Sequence, residues 1–311
     1  MRRALAFFAM LGWPLLAQED VVFRVESSMV TVPVQVSTLD GAAAPALARE
    51  DFTLFDEGAP AAIEALWRES DLPLTLGLVM DTSGSQADWL AAHRATLSAF
   101  LARLLRPRDR VFLVSVGIDP RLVTPLTASR ETVEAGLARL AAEPNGGAVL
   151  GEPCRKTAFR DLVMSQCGGT ALWNAVWAAS HHAMPAQAER RALLILSDGI
   201  DTGSTHTLPQ TAAELHRAGV VAYAIQYPRK SRRSSVGLQR LAEETGGLRF
   251  LPPEGSYEPL FARLEEDLRS QYVLGFRPAA GAAPGLRRLE VRVAREGAET
   301  LRVRARAAYV R

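Results

Sequence analysis

Asp81-Thr82-Ser83-Gly84-Ser85 puts one carboxylate and two Ser hydroxyls on a glycine-containing turn directly after the apolar run Leu74–Met80. These are hard oxygen donors, which suit Mg²⁺ or Mn²⁺ and not zinc or copper. Two later segments repeat the arrangement. Gly168-Gly169-Thr170 offers a hydroxyl just before a helical pattern, and Leu193–Leu196 runs into Ser197-Asp198-Gly199 with a second carboxylate. Taken singly, such residues are ordinary turn and cap residues. Their joint placement is what points to chemistry. In a parallel sheet the strand C-termini share one edge, and ligands bind there. Asp81, Ser83, Ser85, Thr170 and Asp198 are therefore expected to meet at one edge as a metal site.

The elements that must position them are legible in the hydrophobic period. Leu74–Met80, Val111–Val116, Ala192–Leu196 and Val220–Ile225 read as buried parallel strands, and Leu122–Thr127 as a short edge strand. Apolar positions at helical spacing mark five helices between and after them. The first carries Leu90, Leu97, Phe100, Leu101 and Leu104, ended by Pro107. The second carries Val133, Leu137 and Leu140. The third carries Leu172, Trp173, Val176 and Trp177. The fourth carries Leu238, Leu241 and Ala242, stopped by Gly246-Gly247. The fifth carries Tyr257, Leu260, Phe261, Leu264 and Leu268. Strand–helix alternation predicts an α/β fold with a doubly wound, mostly parallel sheet over residues 71–271.

On either side the period becomes two. Val30, Val32, Val34 and Val36 share one face of a half-buried strand, and Pro33 is expected to put it at an edge or a bulge. Asp51–Phe55 is a short strand, and Asp56-Glu57-Gly58 turns it back towards Ile63–Trp67. Tyr272–Phe276, Leu289/Val291/Val293 and Leu301/Val303/Ala305 read as three more strands. The Arg302/Arg304/Arg306 alternation reads as the wet face of the last one. Neither the segment 18–70 nor the segment 272–311 can bury a core alone. They are expected to pair into one small β-sandwich with the α/β domain inserted between them.

At this point a family is recognisable. Asp81-x-Ser83-x-Ser85, Thr170 and Asp198 resemble the five-residue metal-ion-dependent adhesion site of von Willebrand factor A domains. The order matches: strand end, helix start, strand end. The flanks extend the likeness over essentially the whole mature chain. Leu47-x-x-x-Asp51-Phe-x-Leu-x-Asp-Glu-Gly58, Tyr272-Val-Leu-Gly-Phe276 and Arg302-Val-Arg-Ala-Arg306-x-x-Tyr309 are similar to a bacterial family of exported von Willebrand factor A-related proteins, common in acidobacteria. The resemblance implies a Rossmann-like α/β domain. It also implies capture of a protein partner, whose exposed Asp or Glu takes an open position on the bound Mg²⁺ (or Mn²⁺).

Composition sets the outer limits. A chain of 311 residues, 48% hydrophobic, is long enough for about two domains. Met1-Arg2-Arg3 and the apolar stretch Ala4–Leu16 are expected to form a signal peptide cleaved after Ala17, with an uncleaved anchor as the alternative. The stretch is short for a membrane span. The mature protein is thus expected in the periplasm or outside the cell, with no stable span once the leader is cleaved. Removing Arg2 and Arg3 from the 36 basic residues leaves a balance with the 34 acidic ones, which argues against nucleic acid as a partner. Cys154 and Cys167 are the only cysteines, and an even count in an exported chain favours one disulfide. Closing the short loop between them would add roughly 3 kcal/mol.

The remaining polar clusters have bland and sharp readings side by side. Arg229, Lys230, Arg232 and Arg233 follow a strand, so they belong to the metal edge as a solvated loop or as a rim for an acidic partner. Asp201-Thr202-Gly203-Ser204 is expected to cap the next helix and shape its loop. His181-His182 is expected at the surface or partly buried. An enzymatic reading needs more than the sequence offers. Ser83 lacks a Gly-x-Ser-x-Gly elbow, and the histidines lack HExxH spacing. No general base stands beside the metal ligands. A metal-dependent hydrolase using Asp81 or Ser83 is the alternative, and a non-enzymatic binding module is the preferred reading.

Overall fold

The structure, a computed structural model, describes residues 29–39, 44, 46–68, 72–82, 87–142, 147–151, 169–227, 236–252, 256–295 and 297–311. Four strands come first: β1 (Val30–Thr38), β2 (Phe52–Asp56), β3 (Ala59–Ala61) and β4 (Ile63–Arg68). The α/β part follows with β5 (Leu74–Asp81), α1 (Ala87–Leu104), β6 (Arg110–Val116), β7 (Arg121–Thr127), α2 (Arg130–Ala142) and β8 (Ala148–Val149). It continues with α3 (Leu172–Ala178), β9 (Arg190–Ser197), α4 (Leu208–Ala218), β10 (Val221–Gln226), α5 (Gly237–Thr245), β11 (Arg249–Phe250) and α6 (Glu258–Arg269). The chain ends with β12 (Tyr272–Phe276), β13 (Leu286–Val293), β14 (Leu301–Ala305) and β15 (Ala308–Val310).

Seven strands form the central sheet in the order β11-β10-β9-β5-β6-β7-β8. The pairs β11/β10, β10/β9, β9/β5 and β5/β6 are parallel, and the pairs β6/β7 and β7/β8 at one side are antiparallel. Central strands of such a sheet are covered on both faces and must be apolar throughout. Accordingly, every residue of β5 is buried. One face packs α1, α2 and α6 through Leu97, Phe100, Leu137 and Phe261, with Phe100 and Phe261 stacked at 4.8 Å. The other face packs α3, α4 and α5 through Leu172, Val176, Leu215 and Leu238. The expected doubly wound α/β fold is thus observed.

One helix, α4, escapes the apolar spacing, because its face is short. Its start is nonetheless written in the chain. Thr207 and Gln210 form a capping box, Pro209 sits in the first turn, and Gly219 closes the helix in the left-handed region at φ 64°.

The outer strands make two four-stranded sheets, β14-β1-β12-β4 and β15-β13-β2-β3. Each sheet mixes strands from both ends of the chain. Val32, Val34 and Val36 of β1 share one core with Phe52, Leu54, Leu274, Phe276, Leu289 and Tyr309. Side chains of this size contribute about 1.5–3 kcal/mol each on burial, and neither half of the chain assembles this set alone.

One local expectation holds and three are corrected. β12 pairs with Val30–Val34 on one flank and β14 with Val34–Thr38 on the other, so Pro33 has a neighbour on one flank alone, the edge position expected of it. The polar face of β1 is not wet, since Gln35 and Ser37 are buried and Gln35 Nε2 donates to Ser270 Oγ at 2.7 Å. The turn at Glu57-Gly58 leads into β3, and β4 then crosses to the other sheet.

The third correction concerns the arginines of the last strands. Arg304 ion-pairs with the buried Asp267 and donates to the Gly246 carbonyl at 3.2 Å. Arg306 is buried and donates to the His216 carbonyl. Alternation puts these side chains on one face with Arg302, which is exposed as expected, but at Arg304 and Arg306 that face lies against the α/β domain instead of water. Among the described residues no helix is long and apolar enough to cross a membrane.

Candidate metal centre

Asp81 ends β5, Ser197 ends the neighbouring β9, and Asp198 follows directly. The two strands run parallel with Met80 opposite Leu196, which sets Asp81 beside Ser197. The chain leaves β5 for β6 on one side and later returns as β9 on the other, so this is where the strand order reverses. That switch point opens the crevice in which ligands of such sheets bind. Asp81 and Asp198 are only 4% and 6% exposed. Two buried carboxylates at adjacent strand ends concentrate negative charge.

Ser197 holds the pair of strand ends together. Its Oγ donates to Asp81 Oδ2 at 2.8 Å and accepts the Gly199 N–H at 3.0 Å. Asp198 Oδ1 accepts the Ile200 N–H at 3.0 Å, which tightens the turn, and the Asp198 carbonyl accepts from Gln226 Nε2 at 3.1 Å. Ser197 and Gln226 were not singled out by the sequence. Both end parallel strands, and that position was the available signal.

Thr170 reaches the same edge from the N-terminus of α3. Its carbonyl accepts the N–H groups of Thr202 and Gly203 at 2.9 and 3.2 Å, and its own N–H donates to Thr202 Oγ1 at 2.9 Å. The Ala171 N–H donates to the Gly117 carbonyl at 2.8 Å, tying this loop to the end of β6. Gly169 has φ 94°, and a Cβ there would collide with Thr202 Oγ1. Glycine is therefore required for the clasp.

Asp201 and its neighbours do not cap the helix that follows them. Asp201 Oδ1 accepts the Trp173 N–H at 3.2 Å, and Ser204 Oγ accepts the Asn174 N–H at 3.0 Å. They cap α3, the preceding helix, and so fix the Thr170 loop; Thr207 caps α4. Tyr227, next after β10, is fully buried. Burial, then the nearby Tyr257 and Asp81, hold its phenol well above the usual tyrosine range. It stays neutral beside the carboxylate edge.

Asp81, Thr170 and Asp198 are thus all placed at the C-terminal edge of the sheet. Ser83 and Ser85 lie outside the described residues, as do Cys154 and Cys167, the basic run Arg229, Lys230, Arg232 and Arg233, and the leader. His181 does lie part-exposed, in a π-helical turn after α3, hydrogen-bonded to Glu214 and stacked on Trp177 at 4.3 Å. The donor set at the edge is all oxygen, which fits a hard divalent cation and would not favour a thiolate-seeking one.

No protein-family model and no curated protein matches the sequence. Several solved structures align with it at low identity. BatB from Bacteroides thetaiotaomicron is 15% identical over 63% of this chain and all of its own, with a TM-score of 0.47. A von Willebrand factor type A protein from Catenulispora acidiphila is 12% identical over 93% of this chain and 75% of its own, at 0.46. Proximal thread matrix protein 1 from the mussel byssus, with a zinc-occupied adhesion-site motif, is 11% identical over 68% of this chain and 49% of its own, at 0.48. At these scores the likeness carries no argument. The fold rests on the chain's own topology: a doubly wound sheet with Asp81, Thr170 and Asp198 at its switch-point edge, the arrangement that resemblance to von Willebrand factor A domains implies.

Proposed function

We propose that this chain is an exported, non-enzymatic module that binds a protein partner through one divalent metal, Mg²⁺ or Mn²⁺. Asp81, Ser83, Ser85, Thr170 and Asp198 hold the metal, and an Asp or Glu of the partner completes its coordination. The role fits adhesion or scaffolding in the cell envelope. The observation that carries the reading is the convergence of two buried carboxylates and the clasped Thr170 loop on one edge.

The surface of that edge supports a protein partner over a small molecule. Among the described residues, three large apolar side chains stand exposed there: Ile118 after β6, Val236 before α5 and Leu251 after β11, at 50%, 70% and 62%. In this reading the partner covers these apolar side chains while its carboxylate reaches the metal. The basic run from Arg229 to Arg233 belongs to the same rim in this reading, and a Cys154–Cys167 disulfide would brace the loop leading to Thr170. The hydrolase alternative needs a general base, and Tyr227, held protonated, does not serve as one.

The test is calorimetric titration of the mature protein with Mg²⁺ and Mn²⁺, followed by capture from envelope extract with metal and with chelator. One metal per chain, lost in Asp81→Ala, is the expected result. Equal metal uptake by the variant would sink the assignment. Capture that ignores the chelator would sink the metal-bridged partner.

A further inference from the structure

The opposite edge of the central sheet holds a second feature. A cavity of about 430 Å³ lies where the start of β9 and the end of α4 meet the β-sandwich. That volume falls in the range of small-molecule sites, roughly 300–1,000 Å³. Arg191, Arg217, Arg306 and Glu189 line it, and Val30, Trp67 and Val310 supply an apolar wall.

Arg306 is the unusual member. It is 6% exposed, and its Nη1 donates to the His216 carbonyl at 3.3 Å. Its Nε is buried without a hydrogen-bond partner, as is the Nε of Arg191. Among the described residues neither arginine has a carboxylate in ion-pair contact. Instead they face each other. A Cβ on Gly219 would lie 3.3 Å from Arg306 Nη1 and 3.4 Å from Arg191 Nη1, so the two guanidinium groups converge on one point. Burial and the Arg191 charge push Arg306 down to about 10. A buried guanidinium without a counter-charge is costly, and the cost is normally offset by a partner.

The charge count selects the partner. Arg217 is neutralised by Glu214, and Arg191 already donates to the Ala218 and Ala186 carbonyls at 2.5 Å each. With Glu189 set against it, the lining retains one net positive charge among the described residues. A monoanion with an apolar body matches both the charge and the Trp67 wall, whereas a phosphate dianion would over-compensate.

We propose that this cavity binds a small organic monocarboxylate, its head on Arg306 and Arg191 and its body against Trp67, Val30 and Val310. The site is independent of the metal edge.

Titration of the full mature protein with hexanoate and benzoate, and with hexanol, benzamide and inorganic phosphate, tests this. The acids should bind saturably and their uncharged twins should not, with or without chelator. Arg306→Gln should weaken the acids about 10- to 100-fold, the loss of a charge-assisted contact. Its fold is checked by circular dichroism and by its metal uptake. Should that variant fail to fold, Arg191→Gln and Trp67→Ala carry the same test, each expected to weaken the acids while the protein still binds metal. Absence of saturable binding by either acid would overturn the proposal. So would equal binding of acid and uncharged twin, tighter binding of phosphate than of either acid, or undiminished binding in the folded variants.

Discussion

At the scale of single residues, Ser197 and Gly169 support the residues proposed as metal ligands. Ser197 Oγ orients the Asp81 carboxylate and fixes the turn at Gly199. Groups that orient a metal ligand typically change affinity by about 10–100-fold when removed. Ser197→Ala is therefore expected to weaken Mg²⁺ by about that factor in calorimetric titration while leaving the unfolding midpoint close to wild type. An unchanged affinity would remove Ser197 from the site. Gly169→Ala meets both an unfavourable φ of 94° and the Thr202 side chain. It should cost about 1–3 kcal/mol in chemical denaturation, and it should loosen Thr170 so that metal binding falls too. Intact stability and intact binding together would show that the clasp is not needed.

At the scale of elements, burial sets a pH response. His216 on α4 has its pKa lowered first by burial and then by the Arg306 charge. His182 and His206, beside Trp177, are lowered first by burial as well. In each case the folded value lies below the ordinary 6.5. On acidification the unfolded chain therefore takes up protons before the folded one does, and stability falls as pH drops below about 6.5. Denaturation midpoints measured above and below that range should show the loss, and His216→Gln should reduce it. A midpoint that rises on acidification would contradict this account. The metal edge makes its own demand on its elements. Ile118, Val236 and Leu251 sit in three different loops, so a Val236→Asp, Leu251→Asp double variant should abolish partner capture with metal uptake unchanged. Retained capture would place the interface elsewhere.

At the scale of the whole molecule, the two ends of the chain are one structural unit. Among the described residues β1 has only β12 and β14 as neighbours, both from the C-terminal segment. A chain ending at Gln271 leaves Val32, Val34 and Val36 with no strand to pair and half a core. Limited proteolysis should then cut the N-terminal strands rapidly, whereas the full chain resists. Equal resistance would show that residues 30–68 fold without their partners. The junction between the two parts is polar and closed. Tyr223 OH donates to Asp267 at 2.8 Å, Gln271 Nε2 donates to Tyr223 OH at 2.6 Å, and Arg304 pairs with Asp267 from the last strands. Breaking a buried pair by removing one member typically costs about 3–5 kcal/mol, which is the expected loss for Arg304→Met.

What the sequence determined by itself was whatever depends on neighbours along the chain. The apolar runs at Leu74–Met80 and Leu193–Leu196 set buried parallel strands. The helical spacing set five of the six α-helices, and the position of Asp81, Thr170 and Asp198 relative to those elements set the edge they share. α4 was missed because its apolar stripe is brief, although its capping box was readable. Which face of a strand meets water is decided by what packs on it, and that is not written locally. The alternation of Arg302, Arg304 and Arg306 has the same period against solvent as against α4–α6. Only the docking of the α/β domain made Arg304 a buried ion-pair partner and Arg306 the wall of a cavity. Likewise the Asp201 turn could cap a helix on either side, and the close return of α3 to the end of β9 selected the one before it.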